Sequence, residues 1–228
     1  MTTHSPTEAV SLAASGTQLS SAVLAAAVLT MGLVAGVMGL YAHTIMPGLR
    51  HTDDRTFVGA FQSMDRAIIN PWFMTAFLGA LILTGLAAVL HLSGDKRNVL
   101  PWIGTAFVLY LIAVVITLAV NVPINDALKA AGDPARIGDL AAVRRHFDEA
   151  RWSAWNLVRT LTTTAAFGCL IAAAMTHRNA WATTRVSSST VNSASPSAAA
   201  RQGRKSWPGG DAVGPVFTLR SGASLPRQ

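Results

Sequence analysis

Trp152, Trp155, Asn156 and Arg159 stand at i, i+3, i+4 and i+7, a spacing that gathers side chains on one face of a helix. The helix would be an apolar one, because Arg159 is the only full charge between Asn156 and Met175. An arginine one turn inside a membrane segment needs a partner, a water-filled space or a route to the interface.

Other polar residues stand where apolar runs stop. Asn121 and Asn125 bracket Asn121-Val122-Pro123-Ile124-Asn125, at the end of the run Ile103–Val120. His43 closes the first apolar run and is a candidate general base, with Asp65 as the carboxylate that orients it. Gln62 and Asn70 add amides on either side of Asp65. The plainer reading is that the asparagines cap helix ends and Arg159 snorkels to headgroups. His43, His51 and Asp65 can be written as a metal triad, but no H-x-x-H or H-E-x-x-H spacing supports it, so no metal is expected. Phosphate loops, Gly-x-Gly-x-x-Gly, Cys-x-x-Cys and Cys-x-x-Cys-His are absent from the sequence. Catalysis here would use no nucleotide and no covalently held cofactor.

The elements that must position these residues are membrane helices. The chain is 51% hydrophobic and 13% charged, with mean hydropathy +0.39. Four apolar runs, Ser20–Ala42, Pro71–His91, Pro101–Val120 and Asn156–Met175, are each about 20 residues, enough to cross a hydrocarbon core. The fold class is therefore all-α, an integral membrane four-helix bundle. The first helix is expected to stop near Pro47-Gly48. After Asp53 and Asp54, Phe57, Phe61, Met64 and Ile68 form the apolar stripe of a short amphipathic helix that lids the bundle, with Gln62, Asp65 and Arg66 off it. Leu140 to Phe167 holds neither Gly nor Pro, so the fourth helix should start outside the membrane and run straight in. Its apolar face there is Leu140, Val143 and Phe147, and its wet face Arg144, Arg145, Asp148 and Glu149. Gly32 and Gly36 make a Gly-x-x-x-Gly pair for close helix approach.

Residues 1–19 and 178–228 are rich in Ser, Ala and Thr and are expected to be disordered around a membrane domain of residues 20–177. The tail after His177 carries +6 of the net +7, so the high pI belongs to the tail. Contact with anionic lipid explains it better than nucleic acid, because the basic residues are scattered and only Trp207 and Phe217 are aromatic. The start of the chain lacks the basic flank and short apolar core of a cleaved signal. Cys169 lies mid-helix and reads as a packing residue. The expected location is the cell membrane, multi-pass, with both termini cytoplasmic.

Four crossings bring the end of the first helix, the amphipathic helix, the end of the third and the start of the fourth to one mouth. That mouth collects Tyr41, His43, Gln62, Asp65, Asn70, Asn121, Asn125, Trp155, Asn156 and Arg159. Polar groups at the mouth of an apolar bundle suggest a ligand pocket.

At these residues the chain resembles a family. Phe61-Gln62-x-x-Asp65-Arg66-Ala67-Ile68-x-Asn70-Pro71-x-Phe73, Asn121-Val122-Pro123-Ile124-Asn125-x-x-Leu128 and Trp152-x-x-Trp155-Asn156-x-x-Arg159-Thr160 are similar to motifs of the four-helix membrane proteins named for the anthrone oxygenases. The resemblance covers about Val23–Met175, and Asp65 stands where the family pattern has asparagine. It implies a cofactor-independent oxygenase that turns the activated methylene of a lipophilic aromatic compound into a carbonyl. In that reading His43 or Asp65 removes the proton. Arg159, Asn125 and Asn156 stabilise the enolate oxygen, Trp155 stacks on the substrate, and Gln62, Asn70 and Asn121 complete the binding site. Asp65 could alternatively serve Arg159 as counter-ion. A non-catalytic protein that binds a lipid, a quinone-like ligand or a protein partner is the competing reading.

Overall fold

The computed structural model describes residues 6–92 and 94–193, with side chains placed for 15–92 and 97–177. Among them there is no strand. Helix α1 (Pro6–Leu40) passes through a π-helical turn, Tyr41–Ile45, into α2 (Met46–Arg50). Then come α3 (Asp54–Ile68) and α4 (Pro71–Leu90). A short 3-10 link (Gly94–Val99) leads to α5 (Leu100–Ile116), which continues through a second π-helical turn, Thr117–Asn121, into α6 (Val122–Ala130). Helices α7 (Leu140–Phe147) and α8 (Glu149–Ser193) complete the described chain. Four segments, Ser15–Arg50, Pro71–Leu90, Arg97–Ala130 and Leu140–His177, are long and apolar enough to cross a membrane.

The bundle is sealed by a repeat of alternating four- and three-residue steps. Buried positions follow it in α1 (Ser20, Leu24, Ala27, Met31, Val34, Met38), α4 and the residue after it (Phe77, Ala80, Thr84, Ala87, His91), α5 and the residue before it (Val99, Ile103, Ala106, Tyr110, Ala113) and α8 (Trp152, Asn156, Arg159, Thr163, Ala166, Leu170, Ala173, His177). That repeat is the signature of left-handed helix packing. Many of the seam residues are alanines, as expected where close backbone approach, and not escape from water, holds helices together. Gly32 follows the same logic, with Phe167 against it. Gly36 meets no neighbour, so the Gly-x-x-x-Gly pair is half used.

Outside one end of the bundle, α2, α3, α6 and α7 build a cap with its own core of Met46, Phe57, Val58, Phe61, Leu128, Phe147 and Trp152. Asp53 starts α3: Oδ1 accepts from the Thr56 N–H (3.1 Å) and Oδ2 from its hydroxyl (2.6 Å). These bonds hold the Asp53 carboxyl below the usual carboxylate range.

Several boundaries differ from the sequence expectation. Helix begins at Pro6, inside the stretch expected to be disordered, because Pro suits a first helical turn and the Ala- and Leu-rich sequence after it favours helix. Helix α8 reaches Ser193, beyond His177; a second unit, Arg185–Gln228, is helical over residues 185–193, and the rest of the expected disordered tail lies outside the described residues. The first helix does not stop at Pro47. The Met46 N–H reaches back five residues to the Tyr41 carbonyl, and this wider turn gives the proline ring room it lacks in a regular helix. Nor does the fourth helix run straight. Asp148 takes a left-handed conformation (φ 51°) between α7 and α8, and its carboxylate caps α8 by accepting the Arg151 N–H at 3.1 Å.

Arg144, assigned to the wet face, is mostly covered. It donates to Glu149 (2.6 Å), to Asp54 (3.2 Å) and to the Thr52 and Arg50 carbonyls, and lies 4.4 Å over the Phe57 ring. The buried side of α3 is also rotated from the expected stripe: Phe57, Val58, Phe61, Gln62 and Asp65 face inward.

Candidate functional site

Between bundle and cap lies a cavity of about 240 Å³. Its walls are Val37, Met38 and Tyr41 from the first crossing, Phe61, Asp65, Ile68 and Ile69 from α3 and its end, and Phe73, Met74 and Phe77 from α4. The third crossing adds Thr117, Leu118, Asn121, Val122, Asn125, Asp126 and Lys129, and α8 adds Trp152 and Arg159. Apolar side chains dominate, and the polar groups are few and convergent, the usual composition of a small-molecule site.

The π-helical turns decide which residues reach it. Continued through α5, the repeat would bring Val120 inward; the extra residue in the turn brings Asn121 instead, which is fully buried. The first turn likewise replaces Ile45 by Met46. Both turns sit two residues ahead of a proline, Pro47 and Pro123.

Arg159 is 7% exposed. Its Nε donates to Asn156 Oδ1 (3.0 Å), its Nη1 to Thr117 Oγ1 (3.2 Å), and its guanidinium carbon lies 5.3 Å from the centre of the Trp152 ring. Both oxygens are held in place: Asn156 Nδ2 donates to the Met38 carbonyl (3.4 Å), and the Thr117 hydroxyl donates to that of Ala113 (2.8 Å). Among the described residues no carboxylate is within ion-pair reach of Arg159, so a buried cation faces the cavity uncompensated.

Asp65 belongs to a second network. Trp152 Nε1 donates to Asn125 Oδ1 (2.8 Å), Asn125 Nδ2 donates to Asp65 Oδ1 (2.7 Å), and Lys129 Nζ lies 3.0 Å from Asp65 Oδ2 and 2.8 Å from Asp126. The Lys129–Asp65 contact has the distance of an ion pair without hydrogen-bond angles, leaving Oδ2 without a hydrogen-bond donor. The counter-ion of Asp65 is therefore Lys129, and not Arg159. Asn121 donates from Nδ2 to the Trp152 carbonyl (3.3 Å), which leaves its own oxygen a buried acceptor without a partner. Such an orphan at a cavity wall calls for a donor on the ligand.

The structure thus gathers Asp65, Asn121, Asn125 and Arg159 at one cavity, with Asn156 behind Arg159. The remaining candidates lie elsewhere. His43 is exposed, its Nδ1 2.6 Å from Thr44 Oγ1. His51 is exposed with Nδ1 on the Pro47 carbonyl (2.8 Å), and no set of three His, Cys, Asp or Glu side chains converges among the described residues. Gln62 is buried but ties α3 to the end of α6, donating to the Leu128 (2.8 Å) and Gly132 (3.0 Å) carbonyls. Asn70 caps α4 by accepting the Phe73 N–H (3.0 Å). Trp155 points outward, 39% exposed, while Trp152, 1% exposed, holds the wall. The signal separating the two indoles was the repeat itself, since Trp152, Asn156, Arg159 and Thr163 continue it and Trp155 does not. Lys129 carried no comparable signal; its helix face is set by the π turn before it.

Residues 73–169 match the family model described as Anthrone oxygenase. No curated protein and no solved structure matches the chain. The matched segment carries Asn121, Asn125, Trp152, Asn156 and Arg159, whereas Tyr41 and Asp65 precede it. This protein is an all-helical chain with four membrane-crossing helices that resembles the anthrone oxygenase family over the second, third and fourth crossings.

Proposed function

We propose that the protein is a cofactor-independent oxygenase of a lipophilic phenolic compound with an anthrone-like activated methylene. The observation that carries this reading is Arg159, a cation buried at an apolar cavity with no carboxylate to neutralise it. An enolate oxygen supplies the missing charge, and its stabilisation lowers the barrier to forming the carbanion.

Asp65, across the cavity wall, is the base. It removes one methylene proton, and the electron pair delocalises on to the ring oxygen held by Arg159. The electron-rich carbon reduces O2 and forms a C–O bond; with a proton this gives a hydroperoxide on that carbon. Loss of the second methylene proton, with cleavage of the O–O bond, leaves the carbonyl and releases water. The net change is CH2 plus O2 to C=O plus water, with the substrate as sole reductant. Trp152 supplies the aromatic wall in place of Trp155, and His43 takes no part.

The cavity wall includes Ile69 and Leu118, themselves 63% and 62% exposed on the outer surface. An opening flanked by such residues lets a lipophilic substrate arrive from the bilayer. Asp126, 59% exposed and paired with Lys129, marks the side open to water. The site and cap lie outside, with both termini in the cytoplasm of a cell-membrane protein.

The competing reading, a binding protein for a quinone-like or lipid ligand, is favoured by the unpartnered Asn121 oxygen in the cavity that Arg159 also lines, a pair that suits a ligand bearing both a hydroxyl and a carbonyl. Oxygen uptake by detergent-purified protein with a panel of phenolic anthrones separates the two. Uptake above the spontaneous rate, abolished in Arg159→Ala with folding intact, is expected. Ligand retention without uptake by folded wild-type protein would give the binding reading the lead.

A further inference from the structure

The chain has two tyrosines, and they differ in one respect. Tyr110, fully buried in the bundle, donates its hydroxyl to the Phe77 carbonyl at 2.8 Å. That is the normal arrangement for a tyrosine in an apolar setting. Tyr41, half-buried at the cavity, makes no side-chain hydrogen bond among the described residues. Its ring is held against Trp152, centroids 5.9 Å apart and planes tilted by 47°. It lines the same cavity as Asp65 and Arg159. The residue sits at the start of the first π-helical turn, whose Met46 N–H bonds to the Tyr41 carbonyl and fixes the backbone there. Such insertions recur at functional sites.

From this placement we propose that Tyr41 is a further catalytic residue, whose hydroxyl donates to the same substrate oxygen that Arg159 holds. This rests on the oxygenase reading above and deepens it. Arg159 already spends Nε on Asn156 and Nη1 on Thr117, so one cation with two committed groups stands over the developing oxyanion. A neutral O–H from another helix supplies a second direction of approach. Two donors converging on one oxygen bind it more strongly in its charged form than as a carbonyl, which is the difference that accelerates proton removal. Asp65 competes for the same hydroxyl only through Oδ2, which lies 3.0 Å from Lys129 Nζ, because Oδ1 already accepts from Asn125.

The test uses full-length protein, a dihydroxyanthrone as substrate and the matching dihydroxyanthraquinone as a chromophoric ligand whose visible band shifts when its phenol ionises. Wild-type protein is expected to lower the pH at which the bound ligand ionises by about one unit. Tyr41→Phe keeps the ring on Trp152, so ligand retention and melting temperature should hold. The ionisation pH should move back toward that of free ligand, and kcat should fall about 10²-fold. Replacing Tyr41 with a fluorotyrosine, a more acidic phenol of nearly the same shape, should displace the pH profile of kcat; a structural role would not. An unchanged kcat and ligand spectrum in Tyr41→Phe overturn the Tyr41 assignment while leaving the oxygenase intact. Absence of both turnover and ligand binding in the wild type overturns the oxygenase reading itself.

Discussion

Lys129 Nζ lies 3.0 Å from Asp65 Oδ2 and joins α6 to α3 across the mouth of the bundle. The carboxylate at the cavity is thereby balanced from the watery side, and Arg159 on α8 has no carboxylate partner among the described residues. This division is what makes an acid–base role for Asp65 and an oxyanion role for Arg159 compatible in one small space.

Asp65→Asn separates these roles. The amide oxygen still accepts from Asn125, and Lys129 keeps Asp126, so the loss is confined to one ion pair whose acid is buried, about 1–3 kcal/mol of folding stability. Oxygen uptake should fall by about 10²–10⁴-fold if Asp65 takes the proton. Full activity in Asp65→Asn, the residue of the family pattern, would remove it as base.

The two tryptophans should behave differently. Trp152→Phe deletes the donor to Asn125 and leaves a partly buried amide oxygen unpaired, which costs about 1 kcal/mol and loosens the hold on Asp65. Trp155→Phe, on the outer face, should stay within about 0.5 kcal/mol of wild type with uptake unchanged. Thermal unfolding in detergent and oxygen uptake, measured on both variants, check the contrast; equal effects would mean the indoles are misassigned.

Pro123→Ala probes the second π-helical turn. Without the ring, nothing prevents a regular turn over Thr117–Asn121, and relaxation would rotate Asn121 and Thr117 from their places. Uptake should fall, by up to about 10²-fold for an ångström-scale displacement, with the protein still folded. Unaltered turnover would show that packing alone maintains the wide turn.

Gly32→Ala and Gly36→Ala form a control pair within the bundle. A Cβ at Gly32 would come 2.9 Å from the Phe167 ring, whereas one at Gly36 meets nothing within 4 Å. The first should destabilise by about 1–3 kcal/mol and the second by less than about 0.5 kcal/mol. Unfolding of the detergent-solubilised protein reads both.

The four crossings and the capped amphipathic segment were legible from the chain. Apolar run length is a local property that a bilayer reads directly, and an even number of crossings fixes which ends meet. Local sequence also carried the burden on Arg159, since it is the only full charge between Asn156 and Met175. What required tertiary structure was the angular register at each helix end. Pro47 and Pro123 read as stops, yet each is accommodated by one extra residue in the turn before it, and the helix continues with a new face inward. That single-residue shift brings Asn121 to the cavity and sets the faces of Asn125 and Lys129, partners of Trp152 and Asp65. The choice between Trp152 and Trp155, three residues apart, followed from which neighbouring helices sit beside α8. Periodicity within one segment places residues on a face, but only packing against the other segments says what that face meets.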